Sequence, residues 1–272
     1  MNATQKLAAR IQKVNSLLCV GLDSDLTKIP ANLRNQPNPQ FTFNKAIIDA
    51  THDYVCAYKP NTAFYETKGD EGLKELKMTM EYLQEKYPDI LTICDAKRAD
   101  IGNTNEGYVQ GIFDWFGFDA VTLHPYLGRE ALQPFLDRSD KISIILCRTS
   151  NPGAGEFQDL QTDGQPLWAS VAKSISQNWN TNHNCMLVVG ATYPEEMKKI
   201  RELTGDMTFL VPGIGAQGGD LAKTMAAGLN SKKEGLLINS SRGIIFASVG
   251  EDFAQKAGEE AQKLQLAINT YR

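Results

Sequence analysis

Eight short apolar runs recur along the chain, and most are separated by segments with helical periodicity. Within each run the apolar positions are continuous rather than alternating, which is typical of parallel strands that helices cover on their outer face. The pattern therefore predicts eight buried strands, at 17–23, 54–60, 90–96, 119–125, 143–148, 185–191, 208–213 and 235–240.

The segments between the strands carry apolar residues three or four positions apart, with charges on the opposite face. Leu73, Leu76, Met80 and Leu83 have this spacing. Eight alternations of strand and helix predict an α/β fold, a (β/α)8 TIM barrel, with a doubly wound open sheet as the alternative. The other helical patterns occupy 41–50, 168–179, 194–203 and 253–268.

The length of the chain suits one barrel. A barrel of this kind needs roughly 250 residues, and this chain has 272 without a low-complexity linker. We therefore expect residues 1–272 to form a single catalytic domain. The longest polar connections, 24–40 and 149–166, both follow strands and should lie at the C-terminal mouth of the barrel, where active sites of this fold are found.

Composition excludes several classes of function. The 28 basic and 32 acidic residues give a net charge of -4, and no basic stripe is interleaved with aromatic residues, so nucleic acid is not an expected partner. No apolar run approaches the roughly 18 residues that span a membrane, and the N-terminus lacks the apolar core of a signal peptide. The five cysteines form no Cys-x-x-Cys pair, which favours free, buried thiols. We expect a cytoplasmic protein.

Charged residues close three successive predicted strands: Asp23 the first, Lys59 the second, and Asp95 with Lys97 the third. An ionisable residue at the end of an apolar strand is costly unless it is paired, so such positions usually belong to a site. For one residue a structural role would be equally plausible, but three consecutive strands favour a functional cluster.

Asp95 and Lys97 are two positions apart on a strand, so their side chains should leave on the same face. With Lys59 and the nearby Asp100 they would form an array of alternating charge. Flanking carboxylates keep the Lys97 amine protonated, which suits a proton donor and argues against a Schiff-base nucleophile. The alternative is a structural salt-bridge network at the barrel rim, which would be expensive to bury.

Two loops suggest a phosphate site. Residues 212–220, after the seventh strand, contain four glycines in seven positions, which lets backbone amides approach an anion. Residues 239–243 follow the eighth strand and include Arg242, which can bind phosphate through two hydrogen bonds. Loops after strands 7 and 8 commonly bind phosphate in this fold.

Two further positions are less specific. Ser150 lies in a polar segment after the fifth strand and could bind a polar ring edge, although such a segment is also an ordinary turn. His124 ends the fourth strand and could reach the site, but a lone histidine at this position favours a structural role. No cluster of His, Cys or carboxylates has metal-ligand spacing, so no metal is expected.

The motifs together resemble the orotidine 5'-phosphate decarboxylase family, in its branch with longer loops, often called type 2. The resemblance extends from the first strand to the eighth. It rests on Asp95-x-Lys97-x-x-Asp100-Ile101 followed by Thr104, on Lys59, on Pro212-x-x-Gly215-x-Gln217-Gly218-Gly219, and on Ser241-Arg242-Gly243.

The resemblance implies conversion of orotidine 5'-monophosphate (OMP) to uridine 5'-monophosphate (UMP), the last step of UMP biosynthesis, with no metal or organic cofactor. It implies that Lys97 donates the proton to C6 of the pyrimidine, that Asp95 faces the substrate carboxylate, and that Lys59 and Asp100 complete the array. The implied substrate contacts are Asp23 on a ribose hydroxyl, Ser150 on the pyrimidine edge, and Gln217, Arg242 and nearby groups on the phosphate side, among them Pro212, Gly218 and Ser241.

The resemblance also implies a homodimer with shared active sites, in which Asp100, Ile101 and Thr104 enter the site of the partner. Two departures from the family pattern stand out. Gly102 follows Asp-Ile where many members have proline, and Gly219 stands where some members have a tyrosine that contacts phosphate. A fused orotate phosphoribosyltransferase module is not expected.

Two alternatives remain at this point. A related barrel, such as 3-keto-L-gulonate-6-phosphate decarboxylase or hexulose-phosphate synthase, uses the same Asp-x-Lys-x-x-Asp frame to hold Mg2+. A barrel without catalytic activity would bind UMP but release no CO2. Sensitivity to EDTA would favour the first alternative, and binding without turnover would favour the second.

Overall fold

The computed structural model describes residues 1–214 and 218–272, and eight parallel strands form a closed barrel within these ranges. All eight predicted runs contain a strand, although β3 continues two residues past its predicted end and β5 begins one residue early. The strands are β1 Leu18–Gly21, β2 Ala57–Lys59, β3 Leu91–Arg98, β4 Ala120–Leu123, β5 Ile142–Arg148, β6 Cys185–Val189, β7 Phe209–Val211 and β8 Leu236–Ser240.

The strand order settles the choice between barrel and open sheet. Each strand pairs in parallel with its neighbours along the chain, and β8 closes the circle by pairing with β1, where Leu18 is opposite Ile238. An open doubly wound sheet would leave two edge strands, so that alternative is wrong. The (β/α)8 prediction is confirmed.

Helices follow the strands and cover the outside of the barrel. The predicted helical patterns all correspond to helices, and the pattern at 168–179 continues from α9 into a π-helical turn. Short 3-10 helices occupy His52–Tyr54 and Pro152–Ala154, and π turns occupy Gln110–Trp115 and Ile175–Trp179. The α-helices are α1 Ala3–Val14, α2 Ala31–Arg34, α3 Pro39–Thr51, α4 Ala63–Glu66, α5 Gly69–Lys86, α6 Gly102–Val109, α7 Gly128–Leu136, α8 Gly155–Gln158, α9 Leu167–Ser174, α10 Pro194–Thr204, α11 Leu221–Gly228, α12 Arg242–Ile245 and α13 Phe253–Asn269.

Aromatic packing between helices fixes the segment that follows β8. Phe43 of α3 stacks on Phe246 and Phe253, with ring centroids 5.8 and 5.3 Å apart. These two rings flank the connection between α12 and α13, so their packing ties the segment after β8 to helix α3. All five cysteines are free and buried, as the sequence predicted.

The two long connections at the mouth contain short elements that the sequence did not predict. Residues 24–40 include α2, and residues 149–166 include α8 and a hairpin of the two-residue strands Gln161–Thr162 and Gln165–Pro166. Such elements are too short to produce a periodic pattern. Within the described ranges, no helix is long and apolar enough to cross a membrane.

Candidate active site

A cavity of about 730 Å³ opens at the C-terminal ends of the barrel strands. This is the end at which enzymes of this fold carry their active sites, and the volume is typical of a small-molecule site. Every strand, or the loop directly after it, contributes to the lining: Asp23, Lys59, Asp95, Lys97, Thr122, Leu146, Val188, Leu210 and Asn239 in chain order, with Arg242 beyond them.

The Asp95 carboxylate is the centre of a charged cluster. Its Oδ2 accepts a hydrogen bond from Lys59 Nζ at 2.7 Å, and its Oδ1 accepts one from Lys97 Nζ at 2.6 Å. The Asn61 side-chain amide donates a longer bond to Oδ2, at 3.4 Å. The structure therefore brings together Lys59, Asp95 and Lys97, three of the four members of the array that the sequence suggested.

Burial and charge set the protonation of this cluster. Burial alone would raise the pKa of the Asp95 carboxyl, but the charges of Lys59 and Lys97 outweigh burial and hold that pKa well below its usual range. Burial alone would likewise lower the pKa of the Lys59 ammonium, but the Asp95 and Asp23 carboxylates raise it above its usual value. Asp95 is therefore a carboxylate and Lys59 an ammonium throughout the physiological pH range.

The two lysines differ in exposure. The Lys59 side chain is 5% exposed, whereas that of Lys97 is 49% exposed. Lys59 is therefore fixed in the wall, while the Lys97 ammonium remains accessible in the cavity. A positive charge that is held on one side by a carboxylate and open on the other can stabilise negative charge that develops on a ligand.

The backbone at Lys97 is not that of a regular strand. Lys97 has a φ of +46°, in the left-handed region, which costs a residue with a side chain about 1–2 kcal/mol. The β3–β4 register shifts between Cys94 and Arg98, so a bulge covers this segment. The predicted contact of Asp95 with Lys97 is confirmed, but it is made within a bulge and not along a regularly alternating strand.

Asp100 does not join the cluster of its own chain. Its Oδ1 accepts a hydrogen bond from the Ile101 backbone N–H at 2.7 Å, and its own N–H donates to Asn105 Oδ1 at 3.0 Å. Asp100, Ile101 and Thr104 are absent from the cavity lining, and Ile101 is 60% exposed. Within one chain the array therefore consists of Lys59, Asp95 and Lys97. The segment that begins at Asp100 lies outside the cavity.

The loops after β7 and β8 form the opposite end of the cavity. Arg242, Ser241 and Pro212 line it, and none of the ion pairs between described residues involves Arg242. Gly218 is exposed beside this end. Gln217 and Gly215, which the sequence assigned to the phosphate site, lie outside the described residues.

Two glycines allow close packing at this end. The Gly219 N–H donates to the Gly213 carbonyl at 3.0 Å and closes the loop after β7. A Cβ at Gly219 would lie 2.7 Å from that carbonyl oxygen, so a larger residue would force the loop apart. A Cβ at Gly21 would lie 1.9 Å from Ser241 Oγ, which explains how β1 can approach the loop after β8 so closely.

Ser150 lines the third side of the cavity, beside a buried arginine. The Arg148 side chain is 2% exposed, stacks on Tyr193 at 3.7 Å and lies 3.3 Å from Gln158 Oε1. The same Gln158 oxygen accepts a hydrogen bond from Thr149 N–H at 2.9 Å. These contacts fix the segment that carries Ser150 to the end of β5.

Two side-chain oxygens in the cavity wall are buried without a partner. Asn239 is 9% exposed, and its Oδ1 has no hydrogen-bond partner among the described residues; the same is true of Asp23 Oδ1. Buried acceptors without a partner in a cavity wall are suited to bind ligand hydroxyl or amide groups. The sequence did not identify Thr122, Asn61 or Gln158, because single polar residues of a strand or a connection give no periodic or charge signal.

A metal site does not stand out in this arrangement. Among residues 1–214 and 218–272, no group of three His, Cys, Asp or Glu side chains is arranged to hold a metal ion. Both oxygens of Asp95 already bind lysine ammonium groups. His124 is not part of the cavity lining; its backbone N–H donates to the Arg98 carbonyl at 3.2 Å.

Comparison with known proteins agrees with the geometry of the cavity. The chain is 52% identical over 262 residues to orotidine 5'-phosphate decarboxylase of Flavobacterium johnsoniae, with 96% of this chain and 95% of that protein covered. It is 47% identical over 271 residues to the enzyme of the same name from Janthinobacterium sp., with 100% and 99% covered.

Solved structures give the same result. The Leishmania donovani OMP decarboxylase matches with a TM-score of 0.87 at 35% identity, covering 100% of this chain and 99% of that one. The Leishmania donovani UMP synthase matches with a TM-score of 0.88 at 37% identity, but this chain covers only 56% of it. The sequence profile described as the orotidine 5'-phosphate decarboxylase / HUMPS family matches residues 16–257. The chain belongs to the orotidine 5'-phosphate decarboxylase / HUMPS family.

Proposed function

We propose that this protein converts OMP to UMP and CO2 without a metal or an organic cofactor. One observation carries the proposal: the Asp95 carboxylate lies between two lysine ammonium groups, and only that of Lys97 is substantially exposed in the cavity. Such a group can both stabilise a developing carbanion and protonate it.

The chemistry needs a fixed positive charge next to the reacting carbon. Loss of CO2 breaks the bond from C6 to the carboxyl carbon, and the electron pair stays on C6, where the pyrimidine ring delocalises it poorly. The Lys97 ammonium stabilises this pair and then transfers a proton to C6, which gives UMP. Because Asp95 accepts a hydrogen bond from the same ammonium, the charge is oriented before the substrate arrives.

The shape of the cavity is consistent with one orientation of the nucleotide. Arg242 and Ser241, with Gly218 close by, are suited to bind the phosphate, at the end opposite the charged cluster. The unpartnered Asp23 Oδ1 is suited to accept a hydrogen bond from a ribose hydroxyl. Ser150 lies where it can bind the pyrimidine edge. The phosphate is remote from C6, so its binding energy can be used to orient the ring.

The metal-dependent alternative predicts a different use of Asp95. In a Mg2+-dependent relative the carboxylates hold the ion, whereas here both Asp95 oxygens accept hydrogen bonds from ammonium groups at 2.7 and 2.6 Å. A cation would have to displace at least one lysine, which the mutual attraction of the buried groups opposes. This arrangement supports a reaction that uses the lysines directly.

The purified protein should decarboxylate OMP equally well with and without EDTA. The measurement follows the ultraviolet absorbance of OMP as it is converted to UMP, after dialysis against the chelator. Loss of activity that returns on addition of Mg2+ would favour the metal-dependent reaction. Tight binding of UMP with no release of CO2 would indicate a nucleotide-binding barrel without catalytic activity.

The Arg242→Ala variant should lose substrate capture far more than the chemical step. Removing a guanidinium that binds phosphate should raise KM for OMP by about 10²-fold, since a charge-assisted bidentate contact contributes about 3 kcal/mol. The control substrate is orotidine, which lacks the phosphate and should be turned over at the same slow rate by both proteins. The control variant is Arg34→Ala, an exposed arginine outside the cavity. An equal loss on orotidine would contradict the assignment.

We also propose that the protein is a homodimer with shared active sites. The segment from Asp100 to Thr104, which includes the start of α6, does not line the cavity of its own chain, and Ile101 is 60% exposed. Tyr126 and Leu127, just before the neighbouring helix α7, are 89% and 43% exposed. An exposed apolar patch at the rim of a polar site is typical of a surface that another subunit covers.

We further propose that residues 1–272 form a single catalytic domain and that the protein is cytoplasmic. The free, buried thiols support this location, because cysteines in a reducing compartment remain unpaired.

The five thiols lie in the core of the barrel, and burial raises the pKa of the Cys19 thiol to about 12. Cys19 is therefore uncharged at physiological pH.

A further inference from the structure

The hydroxyl group of Thr122 joins the two central groups of the site. Its Oγ1 accepts a hydrogen bond from the backbone N–H of Lys97 at 2.9 Å and donates one to Asp95 Oδ1, also at 2.9 Å. We propose that Thr122 is a positioning residue: it fixes both the Lys97 backbone and the Asp95 carboxylate, and thereby the position of the Lys97 ammonium. This inference rests on the proposed decarboxylation.

The direction of these two bonds is determined by their partners. A backbone N–H can only donate, and an ionised carboxylate can only accept. The hydroxyl must therefore accept from Lys97 and direct its proton to Asp95. Among the described residues, the other acceptor near the hydroxyl is the Cys94 carbonyl oxygen, which at 3.5 Å is too distant to compete well.

Thr122 lies opposite the bulge of β3. On β4 only Thr122 separates the residues paired with Cys94 and Arg98, which are Val121 and Leu123. On β3 the same interval contains Asp95, Ala96 and Lys97. Three residues thus face one, and the Lys97 N–H has lost its regular partner in the ladder. The Thr122 hydroxyl replaces that partner, and this holds Lys97 in the left-handed conformation that a lysine rarely adopts.

Thr122 can position the Lys97 ammonium without itself binding the substrate. Thr122 is 1% exposed, so it can act on the lysine and the carboxylate without contributing much surface to the ligand. The charged group that it positions must stand at the correct distance from C6 in the transition state. Small displacements of such a group reduce the rate of the chemical step more than they reduce binding. The expected signature is a loss in kcat with little change in KM.

The test compares Thr122→Val, which keeps the shape but removes the hydroxyl, with Thr122→Ser, which keeps the hydroxyl. We expect Thr122→Val to lower kcat for OMP by about 10- to 100-fold, with KM and the Kd of UMP changed by less than about threefold. Thr122→Ser should restore kcat to within about threefold of the parent protein. Thr122→Ala and Thr122→Ser, which differ by the hydroxyl alone, replace this comparison if the valine variant does not fold.

Thr92 provides a matched control at the other end of β3. It is 3% exposed, its hydroxyl donates to Asp119 Oδ2 at 3.0 Å, and it accepts from the Asp119 N–H at 3.2 Å. It has the same pair of bonds but lies outside the cavity. Thr92→Val should therefore lower the melting temperature about as much as Thr122→Val does and leave kcat unchanged.

Several outcomes would overturn the proposal. A folded Thr122→Val protein with the parent kcat would remove the role of the hydroxyl. Equal losses in Thr122→Ser and Thr122→Val would assign the effect to the methyl group or to side-chain volume. Equal losses of kcat in Thr92→Val and Thr122→Val would indicate a general loss of stability. If the parent protein itself releases no CO2 from OMP, the proposed function fails first, and this result is distinguishable from the others.

Discussion

Replacing Lys97 by alanine should abolish decarboxylation while leaving the nucleotide site intact. The variant loses the charge that stabilises the carbanion and the proton donor at once. Electrostatic stabilisation and general acid catalysis each contribute factors of roughly 10²–10³ or more, so kcat should fall by at least about 10⁴-fold. The loss is measured as CO2 release from OMP, and binding of UMP by titration calorimetry should remain measurable.

The same substitution should have little effect on folding. The Lys97 side chain is 49% exposed, and a lysine of that exposure contributes little net stability through its ion pair. Asp95 keeps its bond to Lys59 in the variant, so no buried carboxylate is left unpaired. The melting temperature should therefore stay close to that of the parent protein, and this separates a catalytic defect from a folding defect.

Lys97→Arg is the informative companion variant. It retains a positive charge but places it on a planar group that does not release its proton at any physiological pH. Its kcat should remain far below that of the parent protein, because an arginine can stabilise the carbanion but cannot donate the proton to C6. Near-normal turnover in Lys97→Ala would remove Lys97 from the chemistry altogether.

The barrel and the charged strand ends could be predicted because both have strong sequence signals. A buried parallel strand is an unbroken apolar run, and eight such runs leave few alternative folds. Lys59, Asp95 and Lys97 interrupt these runs with charges that are costly to bury singly. Their association in space follows from the parallel arrangement, which gathers the C-terminal ends of the strands at one mouth.

The fine geometry of the site could not be predicted in the same way. The bulge at Lys97 depends on which residue of β4 lies opposite it, and the sequence of β3 alone does not contain that information. Thr122 is part of an ordinary β-branched run, where threonine is common for reasons of packing. Asn239 lies in the predicted loop 239–243, but its buried, unpartnered oxygen becomes evident only in the structure.

The position of Asp100 shows another limit of local reasoning. It is three residues from Lys97 in the sequence, and proximity along the chain suggested one cluster. In the structure its carboxylate binds the Ile101 N–H, its backbone N–H binds Asn105 Oδ1, and Asp100 does not line the cavity. Sequence separation fixes the length of the connection but not its direction, which depends on where the helix after β3 begins.

A heterodimer of two inactive chains should recover activity if Asp100 acts in the site of the partner. One chain carries Lys97→Ala and the other Asp100→Ala, and each homodimer should be nearly inactive. In the heterodimer, the site built on the Asp100→Ala chain has its own Lys97 and receives an intact Asp100 from the other subunit. One of two sites is then complete, so activity should reach about half that of the parent dimer.

Two differently tagged chains, expressed together and purified through both tags, give the heterodimer for this measurement. The matched control pairs Lys97→Ala with a chain that carries both substitutions, in which no site has a Lys97 and no activity should return. If Asp100 acted within its own chain, both sites of the first heterodimer would lack one group and would stay inactive. Recovery in the first heterodimer and not in the second can arise only when one subunit completes the site of the other, so it would establish both the dimer and the partner role of the Asp100 loop. A fully active Asp100→Ala homodimer would instead remove Asp100 from the site.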